Sequence, residues 1–188
     1  LCGDSAGGNL AAATALRAMR DRLDVGHVAL LYPMLDPACD TESMHAYRRG
    51  HLLARSGVQW SWSQYLGSPE DAFNPLVALL QADLARLPTT SVVTAECDPL
   101  RDEGEAFAER LQAAGVEVFA RRYAGMVHGF AGLPQITPVA TQAIDDLAGD
   151  IRRTVTAAGS SVRDIAGDLQ NGRGAAGMLL RDEAVAGE

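Results

Sequence analysis

The 188-residue chain is short of positive charge: 16 Lys and Arg stand against 24 Asp and Glu, a formal net charge of −8 with histidine neutral. Phosphate backbones are held by basic faces, so this balance argues against a nucleic-acid partner. No run of roughly 18 apolar residues is present to span a bilayer, and no basic-then-apolar leader stands at the start. Three cysteines, Cys2, Cys39 and Cys97, lack CxxC or Cys/His metal spacing. They read as small buried hydrophobes of a reducing cell, which makes a cytoplasmic location the expectation. The four histidines, His27, His45, His51 and His128, show no ligand spacing either, so no metal is expected. No internal repeat is visible.

What is present is ordinary globular material, 47% hydrophobic and 21% charged, in a length that suits one domain with its own core. Gly8 to Arg20 is alanine- and leucine-rich and predicts a helix. HVALLYP, residues 27–33, predicts a short buried strand ended by proline. Residues 36–67 mix polar residues with Tyr47, Trp60, Trp62 and Tyr65 without a steady period, predicting loop plus a short helix near Val58 to Tyr65. SVVTAEC predicts a second buried strand, and DEGEAFAERLQAAG an amphipathic helix with Phe107, Leu111 and Ala114 on one face and Gly115 as its stop. VEVFARRY predicts a third strand, and Thr137 to Thr156 a last helix with Pro138 in its first turn. Helices alternating with buried strands give an α/β fold with a parallel sheet. Residues 157–188 are glycine-rich and weakly periodic, and predict a loosely attached tail.

Within this frame, residues 3–7 read GDSAG, the G-x-S-x-G pattern of a nucleophile elbow. A serine on a tight strand-to-helix turn needs neighbours almost free of side chain, which Gly3 and Gly7 supply around Ser5. The following helix would turn its N-terminal N–H groups toward developing negative charge, with Ala6 donating one of them to an oxyanion. A plain helix N-cap is the competing reading of this serine. It loses ground if an acid and a histidine follow in order, each just after a strand.

Two aspartates follow SVVTAEC. Asp98 ends the strand before a proline, which keeps it out of helical geometry; Asp102 opens a helix with Glu105 three residues on, a capping-box spacing. Asp98 is therefore the candidate acid and Asp102 a cap. The third strand runs into AGMVHGF, setting His128 on a glycine-flanked loop. The order Ser5, Asp98, His128 is that of the α/β-hydrolases.

GDSAGGN, LLYPMLD, DPLRDEG and GMVHGF, in this order over residues 1–150, together resemble the hormone-sensitive-lipase-like family of α/β-hydrolase carboxylesterases. The resemblance implies Ser5 as nucleophile, Asp98 as acid, His128 as base and Ala6 as an oxyanion-hole donor. It also implies hydrolysis of short- to medium-chain acyl esters, a three-layer and mostly parallel sheet, and no metal or organic cofactor. The stretch from Tyr47 to Tyr65 falls where such enzymes line the substrate pocket. Residues 1–156 would then be a partial catalytic domain, with 36–67 as a pocket-forming insertion.

One departure stands out. The family carries an HGGG-type oxyanion loop upstream of its serine, and only four residues precede Ser5 here. The expectation is the C-terminal part of an enzyme about twice as long, lacking the earlier strands and the strand feeding the elbow, with an apolar strand left at the sheet edge. Such a chain on its own would be nearly inactive. Two alternatives stay open: amide or peptide cleavage on the same fold, and ligand binding without catalysis, as in the gibberellin receptors of this family, which lack the histidine.

Overall fold

Short apolar runs separated by amphipathic helices leave the chain one economical way to bury its strands, a parallel sheet covered on both faces. The computed structural model describes residues 1–170, and side chains through residue 157. Four strands, β1 (Cys2–Asp4), β2 (Val28–Leu31), β3 (Thr90–Cys97) and β4 (Val118–Val127), pair in parallel in the spatial order β1-β2-β3-β4. Parallel neighbours need crossovers. Helix α1 (Ala6–Arg20) joins β1 to β2, and α4 (Arg101–Ala113) joins β3 to β4; α2 (Glu42–Ala46) and α3 (Arg55–Tyr65) lie between β2 and β3, and α5 (Pro138–Gln170) follows β4.

The period of two along the strands divides the core. Leu30 and Val92 point to one face, with Ala12 and Ala15 of α1 and Phe107 and Leu111 of α4. Ala29, Leu31 and Val93 point to the other, with Tyr123, Phe130, Ala143 and Leu147. Phe107 is fully buried, and truncating such a ring to alanine costs about 3–5 kcal/mol. A third cluster, Met34, Met44, Val58, Trp62, Val77 and Leu100, packs the segment carrying α2 and α3 onto the loops that leave β2 and β3.

Several expectations are adjusted. The strand feeding the serine is represented: β1 pairs Cys2, Gly3 and Asp4 with Ala29, Leu30 and Leu31. This edge strand is three residues long and ends on a charged residue, so it is not an apolar edge. Helix α1 starts at Ala6, directly after the turn. Residues 42–46, read as loop, form a helical turn capped by Thr41, whose hydroxyl accepts from the Met44 N–H at 3.2 Å. Strand β4 continues through Val127, past the end of VEVFARRY.

Asp102 is not a cap. Leu100 holds the N-cap position of α4 without a side-chain bond. The Asp102 carboxylate instead accepts from the Ser43 backbone N–H at 2.6 Å and from Arg101 Nε at 2.8 Å, tying α2 to α4. Burial opposes its charge, yet the Ser43 donors and Arg101 hold its carboxyl below the usual range.

Residues 1–151 form one compact unit, and the described residues from 152 on belong to a second. Helix α5 runs to Gln170, so residues 157–170, expected as tail, are helical. Residues 171–188, the rest of the expected tail, lie outside the described residues.

Candidate active site

β1 ends at Asp4 and α1 begins at Ala6, so Ser5 alone makes the strand-to-helix turn, at φ 51° and ψ −123°. A non-glycine residue held there stores about 1–3 kcal/mol of strain and persists only where its surroundings over-determine it. They do so here: the Ser5 N–H donates to Leu31 O at 2.9 Å, and the Met34 N–H donates to Ser5 O at 3.0 Å. The glycines matter unequally. A Cβ on Gly3 would lie 2.1 Å from Gly7 O, and one on Gly8 2.8 Å from Pro33 Cβ, whereas one on Gly7 would meet only Asp4 Oδ1 at 3.7 Å. The close approach therefore constrains Gly3 and Gly8, and the motif reading of Gly7 as sterically required is corrected.

Asp98 is the first residue after β3 and fully buried. Its Oδ1 accepts from the Leu100 N–H at 2.9 Å, a local turn that fixes the carboxylate, and its Oδ2 lies 2.8 Å from His128 Nδ1. His128, the first residue after β4, places Nε2 2.9 Å from Ser5 Oγ. The three residues singled out in the sequence thus form one hydrogen-bonded chain.

A strand irregularity makes this meeting possible. Ala95 pairs with Tyr123 and Cys97 with Val127, so two steps along β3 match four along β4. Gly125 sits in the bulge at φ 69°, and its N–H donates to Glu96 Oε2 at 2.6 Å. Looping two residues of β4 out of the pairing brings His128 level with Asp98.

Ala6 is the first helical residue, and its N–H has no acceptor within the helix, as for the opening residues of any helix. It borders an apolar cleft of about 90 Å³ with Asn9, Leu10, Met34, Trp62 and Tyr65 in its wall. Two of the four aromatics expected at a pocket are therefore there. Trp60 is exposed, and Tyr47 stands apart, its hydroxyl accepting from Arg101 Nη1 at 3.3 Å and its ring edge-on to His51.

Sequence reasoning missed two residues that support this arrangement. Asn9 is buried and donates from Nδ2 to Met34 O at 2.9 Å and to Val77 O at 3.0 Å, pinning α1 to the loop after β2. Glu103 is fully buried, accepting from the Leu35 N–H at 2.6 Å. Burial, reinforced by the charges of Asp36 and Asp98, pushes its carboxyl well up, against the backbone N–H bonds from Leu35 and Asp36. Both lie inside motifs already singled out, GDSAGGN and DPLRDEG, but their burial is a tertiary fact.

The other histidines are elsewhere: His27 beside Ser91, His45 on Asp40, and His51 on Arg49 O. Among the described residues no group of three or more His, Cys, Asp or Glu could hold a metal, and no helix is long and apolar enough to cross a membrane.

Chemically, the constellation holds an imidazole between a carboxylate and a hydroxyl. That lets the imidazole accept the hydroxyl proton while its charge is stabilised from behind.

Residues 1–132 match a family described as alpha/beta hydrolase fold. An arylesterase of Saccharolobus solfataricus is 40% identical over 151 residues, which are 79% of this chain and 49% of that protein. An ethyl acetate hydrolase of Pseudomonas putida is 33% identical, over 76% of this chain and 46% of that protein. Among solved structures, a thermostable carboxylesterase from a metagenomic library superposes with a TM-score of 0.78 at 38% identity, covering 81% of this chain and 53% of that one. A hyperthermophilic esterase from Pyrobaculum calidifontis gives the same score and identity over 82% and 52%. The chain thus spans about half the length of these relatives. On its fold and on these matches, the chain belongs to the hormone-sensitive-lipase-like family of α/β-hydrolase-fold carboxylesterases.

Proposed function

We propose that the protein hydrolyses carboxylic esters through an acyl-serine intermediate, with Ser5 as nucleophile, His128 as general base and acid, and Asp98 orienting the imidazole. The observation that carries this reading is the unbroken chain from Asp98 Oδ2 through His128 to Ser5 Oγ, at 2.8 and 2.9 Å.

His128 Nε2 takes the Ser5 proton as Oγ attacks the ester carbonyl. The carbonyl oxygen becomes an oxyanion and accepts from the Ala6 N–H. The tetrahedral adduct collapses, and the alcohol leaves with the proton from His128. Water then attacks the acyl-serine, giving its proton to His128, which returns it to Ser5 as the acid departs. The relatives named for arylester and ethyl acetate hydrolysis support esters over amides. The small apolar cleft beside Ala6 supports short to medium acyl chains.

Loss of a single oxyanion donor costs about 10²–10³ in rate in a model protease, the scale of what the Ala6 N–H would contribute. Three free cysteines support a reducing, cytoplasmic setting.

Labelling with a fluorophosphonate, with the adduct located by mass spectrometry, tests the reading. One adduct on Ser5, absent in Ser5→Ala and after denaturation, is expected. Absence of label at Ser5 overturns it. Matched short-chain ester and anilide substrates then separate ester from amide cleavage.

A further inference from the structure

We infer that Tyr32 is a positioning residue for His128, its ring holding the plane of the imidazole while the backbone on either side of it holds Ser5. This rests on the catalytic reading above and adds a residue to it.

Tyr32 is the first residue after β2, so it stands on the same rim as Ser5, Asp98 and His128, each the first residue after its own strand. Its backbone lies at φ 37°, in the left-handed region that a bulky aromatic rarely enters. The Tyr32 N–H donates to Val93 O at 2.6 Å, fixing that conformation from β3. Strain of this kind is kept where something over-determines it.

Tyr32 as a whole residue is 3% exposed. Its ring meets the His128 imidazole edge-to-face, with centroids 4.8 Å apart and planes at 61°, and meets Phe130 in the same manner at 5.9 Å. The phenol end sits at the backbone of Ala131. One side chain therefore touches the residue after β4 and the turn that follows it. Meanwhile Leu31 O accepts from the Ser5 N–H and the Met34 N–H donates to Ser5 O. The four residues 31–34 clasp the nucleophile by main chain and the base by ring.

Such a clasp answers a geometric need. The Asp98 bond to Nδ1 fixes one point of the imidazole but leaves it free to swing about that point. An edge-to-face neighbour favours one relative ring orientation, and here that orientation aims Nε2 at Ser5 Oγ. Burial, with the charges of Asp4 and Asp98, pushes the phenol up to about 12, so it brings no charge of its own to the site.

The test compares Tyr32→Phe, which keeps the ring, with Tyr32→Leu and with Tyr32→Asn, whose side chain tolerates left-handed backbone. Two quantities are read: the rate of fluorophosphonate labelling at Ser5, and the His128 Nδ1 proton resonance in protein labelled with ¹⁵N-histidine. Leu and Asn should slow labelling about 10²-fold, the scale of an ångström-size misplacement, and lose or shift the resonance with circular dichroism unchanged. Phe should restore both. In a His128→Ala background, Tyr32→Asn should cost nothing further.

Wild-type rate and resonance in Leu or Asn would overturn the inference, as would an equal loss without His128. If neither Leu nor Asn folds, the ring is a core support and the inference also fails. A wild-type protein that takes no label at Ser5 would sink the hydrolase reading alone. The resonance would still judge Tyr32: lost in Asn and kept in Phe supports it, and unchanged in all three overturns it.

Discussion

Serine, histidine and aspartate meet twice in this chain, past the C-terminal ends of the strands and again near their N-terminal ends. At the first meeting His128 stands in the middle, between Asp98 and Ser5. At the second the serine stands in the middle: His27 Nε2 lies 3.0 Å from Ser91 Oγ, which donates to Asp150 Oδ2 at 3.0 Å. The Arg121 guanidinium grips both oxygens of Asp150. The two groups lie about 20 Å apart along β3, at roughly 3.3 Å per residue. Ser91 has its hydrogen committed to a carboxylate and its lone pair to an imidazole N–H, and it is fully buried. Ser5 offers its proton to an imidazole and sits at the surface turn. The residue types are the same, and bonding order and access separate the proposed nucleophile from a strut.

Removing the two serines should break the comparison most sharply. Ser5→Ala should lower ester hydrolysis by about 10⁶-fold, the scale for a triad serine, or to the background rate. Ser91→Ala should leave turnover intact and cost about 1–3 kcal/mol of stability through the two buried hydrogen bonds it removes; steady-state kinetics and urea unfolding on both variants would tell. Comparable rate losses would erase the distinction.

The aspartates come next. Asp98→Asn should cut kcat about 10⁴-fold, as when a triad acid can no longer fix the imidazole tautomer, with little change in Tm. Asp150→Asn should do the reverse, losing about 2 kcal/mol as the half-exposed Arg121 faces a neutral amide while kcat holds.

A smaller effect sharpens the account of the rim. Gly3→Ala forces a Cβ toward Gly7 O and should cost about 1–3 kcal/mol as an overpacked contact, along with activity. Gly7→Ala should be milder on both counts in the same denaturation and labelling assays.

The smallest effect is on pH dependence. Burial lowers the His27 pKa, against the pull of Asp150. The unfolded chain takes up this proton near pH 6.5, the folded chain only at lower pH. Between these values the unfolded state binds more protons, so stability rises with pH there. His27 contributes fully above about 6.5 and loses its contribution as pH falls through the folded value. Glu103 acts oppositely: its raised carboxyl keeps a proton in the fold, which favours the fold at low pH. The difference between wild type and His27→Asn in denaturant titrations at pH 7.5 and 5.5 isolates the histidine, and a difference that does not change with pH would refute the assignment.

Much of the frame was legible. Val28–Leu31 and Ser91–Glu96 are apolar runs that only a buried strand accommodates, and the order of Ser5, Asp98 and His128 reads directly. The second half of β4 was hidden because Gly125 interrupts the pattern where the bulge forms. Asp102 was misread because its partner, Ser43, is 59 residues away in sequence. The strain at Tyr32 and the burial of Asn9 and Glu103 arise from packing between elements, which no local window contains. The extension of α5 to Gln170 went unseen because glycine and serine at 159–161 weaken the helical period.

The bulge between β3 and β4 carries one further consequence. It is a counting device: the same two strands zipped without the irregularity would set Gly125 against Cys97 and carry His128 about 7 Å out of step with Asp98, at roughly 3.3 Å per residue. A search for greater thermal resistance would reward that regular pairing, and a search for turnover would reject it. Wherever those two selections disagree in this chain, the irregular strand is the place to look.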